Sequence, residues 1–595
     1  MVQEAKVLFQ KLKITSLLDL ALLLPSSYNN TTLSEKITIG EVHTFEAMVK
    51  EVTSIQGKLR ITFYLSRFNK SLNSMLFRVT LYHHQLFVVG SRHYIQGKVE
   101  EYRGELQINQ AKSIKKVGVI TPKYTVAIKQ SSMYALIEHY IFEQNLYAEG
   151  LNSREISTLL GLHYPQNMQQ IEKRDEVVLK FIEAFNHLKK LRGKRADFPA
   201  LEVLTGNVRP FIENLPFTLT KEQQKVIAEI KKDLRSHQKA SKRLIIGDVG
   251  SGKTMIILAS AVMAYPQKSI LMAPTSLLAL QIYEEAQKYL PSFMNIALVM
   301  QGKNEGDYLC ADFIIGTHAL LYKEDLPQAP LVMVDEQHRF GTKQRAMLEK
   351  MMGSDEKKPH FLQFSATPIP RTQAMMESEL IDVSLITTTP FDKDIRTEII
   401  GKEDFSYLLH EIEEQIAQEH QVLIVYPLVE ESTEIPYQSL AEGRGFWEKR
   451  FKNVYVTHGK DKKKEEVLVE FREKGDILLA TTVVEVGISL PRLTLIVIVG
   501  AERLGLATLH QLRGRVGRLG LKSICYLFTN NKKNDRLSSF CQTISGFEIA
   551  KLDLKFRNSG DILDGTMQSG VQFKWLNLAD DEHIVKVAKE RLHRG

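Results

Sequence analysis

The 595-residue chain is too long for one hydrophobic core, because domains usually hold about 100–200 residues, and we expect roughly four domains. Its 44% hydrophobic and 25% charged content is typical of a soluble globular protein, and no apolar run reaches the roughly 18 residues of a membrane span. The net charge of +8 is a modest excess, so the distribution of the charges is more informative than their sum. Three cysteines without a C-x-x-C pair indicate neither a disulfide framework nor a zinc site: Cys310, Cys525 and Cys541.

The first apolar run, Leu17 to Leu24, has two interpretations. Asp19 interrupts the run and no small-residue cleavage site follows it, which argues against a secretory signal. Ser16 and Asp19 have the spacing of a capping box, which predicts an amphipathic helix that begins beside Ser16. We therefore expect a cytoplasmic protein.

Residues 40–115 contain short runs in which apolar and polar side chains alternate, the pattern of half-buried strands. These runs include Arg60–Leu65, Leu76–Tyr82 and His93–Val99. Several short strands in one stretch predict a small β-barrel, and an OB-fold is the natural candidate.

The part of this barrel between Val52 and Val99 is one-sided in charge, with no Asp or Glu, seven basic residues and seven aromatic residues. The basic residues are Lys58, Arg60, Arg67, Lys70, Arg78, Arg92 and Lys98, and the aromatic ones are Phe63, Tyr64, Phe68, Phe77, Tyr82, Phe87 and Tyr94. A basic, acid-free, aromatic-rich surface suits a nucleic acid whose bases can stack. A solvated basic face over an ordinary β core is the alternative.

Five residues of this stretch are candidate DNA contacts. Lys58, Arg60 and Arg78 would bind phosphates. Tyr82 and Phe87 follow the predicted strand Leu76–Leu81 and are candidates for stacking on bases, with packing in the core as the alternative role of either ring.

Residues 130–195 have helical patterns, and residues 196–219 contain three prolines and are expected to form a linker. From there to about residue 530, apolar strand-like runs alternate with helical patterns. This alternation predicts two parallel α/β sheets.

The most specific motif runs from Gly247 to Thr254 and matches G-x-x-x-x-G-K-[ST]. It follows a strand-like run and precedes a helical pattern. Glycines let backbone N–H groups surround phosphates at a helix N-terminus, while the lysine reaches the β- and γ-phosphates and the threonine ligates Mg²⁺. The predicted ATP-binding residues are Gly247, Gly250, Gly252, Lys253 and Thr254.

A second strand-like run, Leu331 to Val334, ends in Asp335 and Glu336, 82 residues after Lys253. The carboxyl end of a strand is where a parallel sheet binds its ligand. We expect Asp335 to hold Mg²⁺ and Glu336 to orient or deprotonate the attacking water.

A third cluster contains Gln511, Arg515 and Arg518 and follows the second α/β region. Guanidinium groups can disperse transition-state charge on the γ-phosphate, and supplying them from another lobe makes hydrolysis depend on lobe closure. We interpret Arg515 and Arg518 as arginine fingers and group Gln511 with the catalytic residues. A flexible basic loop that contacts a phosphate backbone is the alternative.

Together these motifs resemble superfamily-2 helicases, and their details resemble the RecG family. The resemblance covers about Leu215 to Gly570, and it departs from the family pattern at Ser489, at Leu519, in the linker Pro390–Lys393 and in Arg557–Gly560. Further runs that carry it are Ala311–Leu320, Asp335–Gly341, Ser365–Thr372, Tyr426–Ser432, Thr481–Gly487, Ala501–Gly505 and the closing segment from Gly546 to Gly570.

This resemblance implies roles that the residue types alone do not indicate. Gln223 would read the adenine, and Phe217 would stack on it. Without the family, Gln223 would be interpreted as an exposed polar residue on a helix.

The resemblance also implies residues that couple the nucleotide to movement. Ser365 and Thr367 would transmit the nucleotide state between the lobes, and His338 would link the acid pair to them. Arg557 and Gln568 would convert lobe motion into movement along duplex DNA, whereas a C-terminal cap on the second lobe is the alternative for that segment.

The predicted fold is therefore α/β, with two tandem RecA-like parallel-sheet lobes, an N-terminal OB-like β-barrel wedge with helices, and a small C-terminal coupling segment. The predicted boundaries are 1–200 for the wedge domain, 201–395 for lobe 1, 396–535 for lobe 2 and 536–595 for the coupling segment.

The function implied by the resemblance is ATP-driven, Mg²⁺-dependent remodelling of branched double-stranded DNA, such as stalled forks and Holliday junctions. A monomer is expected, with a single-stranded-DNA-binding protein as a candidate partner. The alternatives are a transcription-repair-coupling translocase, a nucleic-acid-binding protein with a vestigial ATPase, and an RNA helicase.

Overall fold

A computed structural model of the protein describes residues 3–102, 104–172, 174–336, 339–354, 356–367, 369–391, 393–430, 436–481, 489–517, 520–558 and 573–594. They form two compact units. The first contains Met1–Asn186, Lys574–Leu576 and Arg591–Gly595, and the second contains His187–Phe573 and Asn577–Glu590. Across the described ranges, no helix is both long and apolar enough to cross a membrane. The four domain boundaries given above stay a prediction.

The first unit begins with α1 (Gln3–Leu12) and α2 (Leu17–Ala21), followed by β1 (Ser27–Asn30). The capping box predicted for α2 is confirmed: Ser16 Oγ accepts from the Asp19 N–H at 3.0 Å, and the Asp19 carboxylate accepts from the Ser16 N–H at 3.1 Å. Two backbone donors that the helix itself cannot satisfy are paired in this way.

Five strands then close into a barrel, which confirms the predicted OB-like architecture. The strands are β2 (Val42–Ile55), β3 (Lys58–Leu65), β4 (Lys70–Leu76), β5 (Arg92–Tyr102) and β6 (Glu105–Ile114), in the order β2-β3-β4-β6-β5. In β3, every second side chain is buried, ending with Phe63 and Leu65, because successive side chains point to opposite faces of a strand.

The predicted strand Leu76–Tyr82 is wrong, because β4 ends at Leu76 and the chain leaves the barrel there. A short helix, α3 (Leu81–Leu86), follows in its place. Thr80 caps this helix, and its N–H donates to His83 Nδ1 at 3.1 Å. The apolar residues of this run therefore do not continue the alternation of the barrel.

The rest of the first unit is mainly helical, as the sequence predicts. Strand β7 (Ile120–Lys123) pairs antiparallel with β1, and the helices are α4 (Gln130–Tyr140), α5 (Glu143–Ala148), α6 (Ser153–His163), α7 (Met168–Glu172) and α8 (Glu176–Gly193). His163 joins α6 to α2, since its ring nitrogens lie 2.8 Å from Tyr124 Oη and 2.8 Å from the Ala21 carbonyl oxygen. Burial lowers the pKa of His163 to about 4, so this ring is neutral.

Two acidic side chains hold the C-terminal residues of the first unit. Glu183 accepts the backbone N–H groups of Lys574, Trp575 and Leu576 at 2.8, 2.9 and 2.9 Å. The Arg591 guanidinium donates to both carboxylate oxygens of Glu155 at 2.6 and 2.7 Å, and Glu155 is buried. Both bonds come from Nη1, and hydrogen bonds between two charged groups are among the stronger polar interactions in proteins.

In the second unit, α9 (Arg209–Glu213) and α10 (Lys221–Leu234) precede an eight-stranded sheet. Its order is β11-β10-β12-β9-β13-β14-β8-β15, and all pairs are parallel except β10 with β11. The strands are β8 (Lys242–Gly247), β9 (Ser269–Met272), β10 (Ile296–Met300), β11 (Lys303–Glu305), β12 (Phe313–Gly316), β13 (Leu331–Val334), β14 (His360–Ser365) and β15 (Asp382–Ile386). The helices of this lobe are α11 (Lys253–Ala264), α12 (Ser276–Tyr289), α13 (Thr342–Met352) and α14 (Arg371–Glu377).

A second, six-stranded parallel sheet has the order β16-β21-β20-β17-β19-β18. Its strands are β16 (Ile395–Ile400), β17 (Gln421–Val425), β18 (Val454–Thr457), β19 (Ile477–Ala480), β20 (Leu493–Val499) and β21 (Ser523–Phe528). The helices from here onward are α15 (Phe405–Ala417), α16 (Leu440–Arg450), α17 (Lys464–Lys474), α18 (Leu506–Arg513), α19 (Asp535–Cys541), α20 (Gly546–Asn558) and α21 (Glu582–Arg594). The two predicted parallel-sheet lobes are thus confirmed.

The strand order of the first sheet brings the predicted motifs to one edge. Strand β14 lies between β8 and β13, and all three are parallel. Their carboxyl ends therefore place the loop after Gly247, the segment after Ser365 and the pair Asp335-Glu336 side by side. This edge is where parallel α/β sheets bind their ligands.

Candidate nucleotide-hydrolysis site

The nucleotide loop between β8 and α11 depends on glycine at particular positions. Gly250 and Gly252 have φ values of +77° and +75°, a conformation that favours glycine. A Cβ at position 252 would also lie only 2.4 Å from Gln223 Nε2, and one at Gly247 only 2.4 Å from Ser251 Oγ. Side chains at these positions would therefore displace the loop from its neighbours.

Gln223 is buried beneath this loop and is not the exposed polar residue that helix position alone suggests. Its Nε2 donates to the Ser251 carbonyl at 2.8 Å, while its Oε1 accepts from the Thr220 N–H at 2.8 Å. The amide therefore fixes the loop to the start of α10. Phe217, nearby, is 40% exposed, and its ring centroid lies 5.9 Å from that of Tyr289. Adenine recognition by Gln223 and Phe217 stays a prediction.

Lys253 is the first residue of α11, directly after the loop. Its Nζ donates to the carbonyl oxygens of Gly247 and Asp248 at 2.9 and 3.2 Å. The ammonium group is therefore held within the curve of the loop, and the Thr254 hydroxyl group follows in the first helical turn.

The acid pair follows β13, and the two carboxylates have different surroundings. Asp335 is buried, and burial raises the pKa of its carboxyl group, as does the negative charge of Glu336, while Lys253 acts in the opposite direction. Glu336 adopts a φ of +47°, which is unusual for a residue with a side chain. Its Oε2 accepts from the Ala366 N–H at 3.1 Å, so the acid pair is bonded directly to the segment between Ser365 and Thr367. His338, the predicted link between these motifs, lies outside the described residues.

The second lobe reaches the same site through α18 and the residues that follow it. Gln511 Nε2 donates to Thr367 Oγ1 at 3.1 Å, which joins the two lobes directly. Arg515 is 7% exposed and lies at the wall of the site. Arg518 lies outside the described residues, as do Gln568 and the side chain of Arg557.

These elements enclose a cavity of about 460 Å³, within the usual range for a ligand pocket. Both lobes contribute to its walls. The predicted residues that line it are Phe217, Gln223, Gly250, Gly252, Lys253, Thr254, Asp335, Glu336, Gln511 and Arg515. Gly247, Ser365 and Thr367 do not line the cavity. Gly247 and Thr367 accept hydrogen bonds from Lys253 and Gln511, which do, and Ser365 Oγ accepts from the Thr367 N–H. Within the described ranges, no cluster of three or more His, Cys, Asp or Glu side chains could form a separate metal site.

Sequence reasoning missed two groups near the loop. Lys393, in the linker between the sheets, lines the cavity and donates from Nζ to the Val249 carbonyl at 2.6 Å. Asp248 and His510 form a buried pair beside the cavity, with 2.5 Å between Asp248 Oδ1 and His510 Nε2. The available signal was an acid at an unconstrained position of the loop motif, which alone has no fixed meaning.

The candidate DNA contacts of the barrel divide into exposed and buried residues. Lys58, Arg60 and Arg78 are exposed, and Tyr82 is 58% exposed. Phe87 is 2% exposed and packs edge-on against Phe63 in the barrel core, with 5.5 Å between ring centroids. The stacking role proposed for Phe87 is therefore wrong, because a base needs an accessible ring face.

One of the seven aromatic residues of this stretch, not among the five candidate contacts, also has an exposed ring. Phe77 is 57% exposed, and Lys58 Nζ lies 5.2 Å from its ring centroid. We call the exposed apolar residues of this segment the apolar tip: Phe77, Leu81, Tyr82, Val88 and Val89.

Comparison with known proteins supports the same class. Residues 220–376 match the DEAD/DEAH box helicase family, and residues 403–520 match the helicase conserved C-terminal domain. The ATP-dependent DNA helicase RecG of Helicobacter pylori is 45% identical over 607 residues, covering 99% of this chain and 97% of the relative. The RecG of Aquifex aeolicus is 39% identical over 68% of this chain and 54% of its own length. A solved structure of RecG bound to a three-way DNA junction is similar with a TM-score of 0.55 and 27% identity, covering 99% of this chain and 84% of that one.

Two parallel-sheet lobes that share one phosphate-loop cavity, together with the matches to both helicase domain families, define a helicase motor. The barrel of the first unit and the similarity over nearly the whole chain narrow this class further. The chain belongs to the RecG family of ATP-dependent DNA helicases.

Proposed function

We propose that this protein hydrolyses ATP in the inter-lobe cavity to move on duplex DNA and to remodel branched DNA such as stalled forks and Holliday junctions. The observation that carries the proposal is the composition of the cavity, in which loop and acid pair come from one lobe and Gln511 and Arg515 from the other. Hydrolysis would then require both lobes in place, as a motor needs. Branched DNA as the substrate is supported by the three-way junction bound to the solved RecG.

Binding of the triphosphate would begin at the loop. Lys253 would exchange its two carbonyl partners for phosphate oxygens, which are stronger acceptors for an ammonium group. Backbone N–H groups at the start of α11 would add the favourable field of a helix N-terminus.

The oxygen-bearing side chains at this edge fit Mg²⁺, which is usually held by one or two protein oxygens together with substrate phosphates. Thr254 and Asp335 would hold the ion, and a bound Mg²⁺ would neutralise charge on the phosphates. The positive charge would also favour the ionised form of the buried Asp335 carboxyl group.

Glu336 is the candidate for orienting the attacking water. The hydrogen bond from the Ala366 N–H fixes one of its oxygens and so sets the direction of the carboxylate. Arg515 would disperse charge on the γ-phosphate from the second lobe. The Gln511–Thr367 bond would make this assembly sensitive to lobe position.

DNA contact is assigned to the barrel of the first unit. Lys58 and Arg78 are exposed beside the apolar tip, and an exposed apolar patch with a basic surround suits splayed bases and their phosphates. Tyr82 and Phe77 are the exposed rings of the apolar tip. Cytoplasmic location, a monomeric state and a single-stranded-DNA-binding protein as partner remain parts of the proposal.

The test compares ATP hydrolysis with fork, linear duplex, single-stranded DNA and RNA. Stimulation should be greatest with branched DNA, and Lys253→Ala should reduce hydrolysis to background while DNA affinity is retained. Lys225→Ala, an exposed cation on α10 of the same lobe, serves as the control. Turnover close to wild type in Lys253→Ala would refute the motor site, and stronger stimulation by RNA would refute the substrate.

A further inference from the structure

Asp248 belongs to the nucleotide loop, but its carboxylate does not line the nucleotide cavity. Its Oδ1 lies 2.5 Å from His510 Nε2 on α18, and its Oδ2 accepts the N–H of Gly546, the first residue of α20, at 2.9 Å. One side chain of the loop therefore contacts two helices of the second lobe. The residues it joins are separated by 262 and 298 positions in the sequence.

The contact with α20 needs glycine at position 546. A Cβ there would lie 2.7 Å from Asp248 Oδ1 and 2.8 Å from His510 Nε2, both closer than real Cβ contacts. A side chain would therefore separate α20 from the pair. Gly546 is buried, and so are the two apolar residues that follow it. Phe547 packs with Leu244, Ile246 and Ala374 of the first lobe, whereas Ile549 lies in the second-lobe core.

The charges around Asp248 favour its ionised form. Burial alone would raise its pKa, but the hydrogen bond with His510, the charge of Lys393 and the Gly546 N–H together hold the pKa of Asp248 below its ordinary value. Burial lowers the pKa of His510 itself, so the carboxylate carries the charge of this pair. A carboxylate at the N-terminus of a helix is also favoured by the helix dipole. The hydrogen bond from the Gly546 N–H to the Asp248 carboxylate is thus charge-assisted, and it joins the loop to the start of α20.

The same residue touches the phosphate-binding lysine. The Asp248 backbone carbonyl accepts from Lys253 Nζ at 3.2 Å, while its side chain holds α18 and α20. A second hydrogen bond fixes the backbone of the nucleotide loop, since Lys393 Nζ donates to the Val249 carbonyl at 2.6 Å. When Lys253 turns to a phosphate, the backbone carbonyl of Asp248 loses its ammonium donor, and the carboxylate of the same residue holds α20.

We propose that Asp248 is a positioning residue that transmits the state of the nucleotide loop to α20 through its contact with Gly546. It acts through the backbone of the loop on one side and the first turn of α20 on the other, and it does not touch the nucleotide. The inference rests on the proposed function in one respect: α20 is taken as the helix that couples hydrolysis to movement on DNA.

The deciding experiment measures amide hydrogen exchange of residues 547–556 in the full chain, without nucleotide, with ADP and with a non-hydrolysable ATP analogue. In the wild type, exchange of the first turns of α20 should differ between the nucleotide states. Asp248→Asn, which removes the charge at constant size, and Gly546→Ala, which inserts the excluded Cβ, should each abolish this difference. Glu548→Gln is the matched control, because Glu548 is an exposed acid in the first turn of the same helix.

A nucleotide response of α20 that persists unchanged in both variants would overturn the proposal, and so would a wild type whose α20 does not respond. If Gly546→Ala fails to fold, Asp248→Asn and His510→Gln decide the question. This readout needs no DNA, so its failure is distinct from a failure of fork remodelling, which is measured separately.

A second readout separates positioning from a general structural role. Asp248→Asn should remodel about tenfold fewer forks per ATP hydrolysed, the factor expected when a hydrogen bond to a charged acceptor becomes a neutral one. An unchanged ratio, with hydrolysis, remodelling and melting temperature lowered in proportion, would show that Asp248 only stabilises the fold.

Discussion

The nucleotide cavity of the second unit and the barrel surface of the first unit are both suited to phosphate, but by opposite means. In the cavity wall, Asp335 and Arg515 are both buried. The barrel presents Lys58, Arg60 and Arg78 exposed on its surface. A buried, preorganised group acts at low dielectric, and its neighbours cannot replace it. Exposed cations are screened by salt, and each contributes only part of the phosphate affinity.

This difference predicts how strongly a single substitution should reduce activity in the cavity or DNA affinity on the barrel. In the cavity, one missing group should remove most of the activity, because transition-state stabilisation depends on donors already in position. On the barrel, each cation should contribute a similar small part of the affinity. Only rings with an open face should add a specific effect there.

The largest effect is expected for Arg515→Ala. The rate constant of ATP hydrolysis should fall by about 10³-fold or more with little change in the Michaelis constant, because an arginine finger acts mainly in the transition state. Steady-state kinetics with saturating DNA will measure this, with Arg503→Ala as an exposed control on the same lobe. A raised Michaelis constant at an unchanged rate constant would reassign Arg515 to ground-state binding.

The next effect concerns the stability of the barrel. Phe87→Ala should lower the free energy of unfolding by about 3–5 kcal/mol, because it empties a buried position of the barrel core. Phe77→Ala, at an exposed ring, should change it by no more than about 0.5 kcal/mol. Chemical denaturation of both variants measures the contrast, and equal losses would show that Phe77 also belongs to the core.

A smaller effect is expected for the apolar tip. Tyr82→Ala should reduce the preference for forks over linear duplex by about 5–150-fold, which corresponds to about 1–3 kcal/mol for one stacked base. Tyr102→Ala is the control, since Tyr102 is equally exposed at 58% on the same barrel but is surrounded in sequence by Glu100, Glu101 and Glu105. If the two variants bind forks equally well, stacking by Tyr82 is excluded.

The smallest effect is a change in salt dependence. Lys58→Ala and Arg78→Ala should each lower the slope of log affinity against log salt by about 1, while affinity falls similarly for forks and linear duplex. Lys98→Ala should change the slope less, because Glu100 lies 2.9 Å from the Lys98 ammonium and already offsets its charge. Equal slopes for all four proteins would remove these cations from the DNA contact.

The same contrast between cavity and barrel explains which parts of the site and of the fold could be predicted from the sequence. The loop from Gly247 to Thr254 and the acid pair could be predicted because phosphate chemistry requires particular residue types at fixed spacings after a strand. The barrel could be predicted from alternation, which reports burial but not where a strand ends. The run Leu76–Tyr82 alternates like a strand, yet the chain turns into a helix there. For Phe87 the structure shows packing in the core, the alternative to stacking on a base.

Contacts between distant residues lie beyond such reasoning. Asp248 and Gly546 are 298 positions apart, and neither an acid in a loop nor a glycine at a helix start indicates the other. Gln223 shows the same limit, because only the fold reveals that its amide supports the loop. A single sequence contains the periodicity of elements and the spacing of motifs, but not the partner that a side chain meets across the sheet.

The first unit has a further consequence, for the order in which the protein is made. The hydrogen-bond partners of two acidic residues are synthesised much later than the acids themselves. The backbone donors to Glu183 follow it by 391 or more positions, and Arg591 follows the buried Glu155 by 436 positions. At about 5–20 residues per second, a ribosome needs roughly 20–90 s to supply these partners. During that interval the helices around Glu155 would carry a carboxylate with no guanidinium to neutralise it. Completion of the earliest-synthesised unit therefore has to follow synthesis of the entire motor.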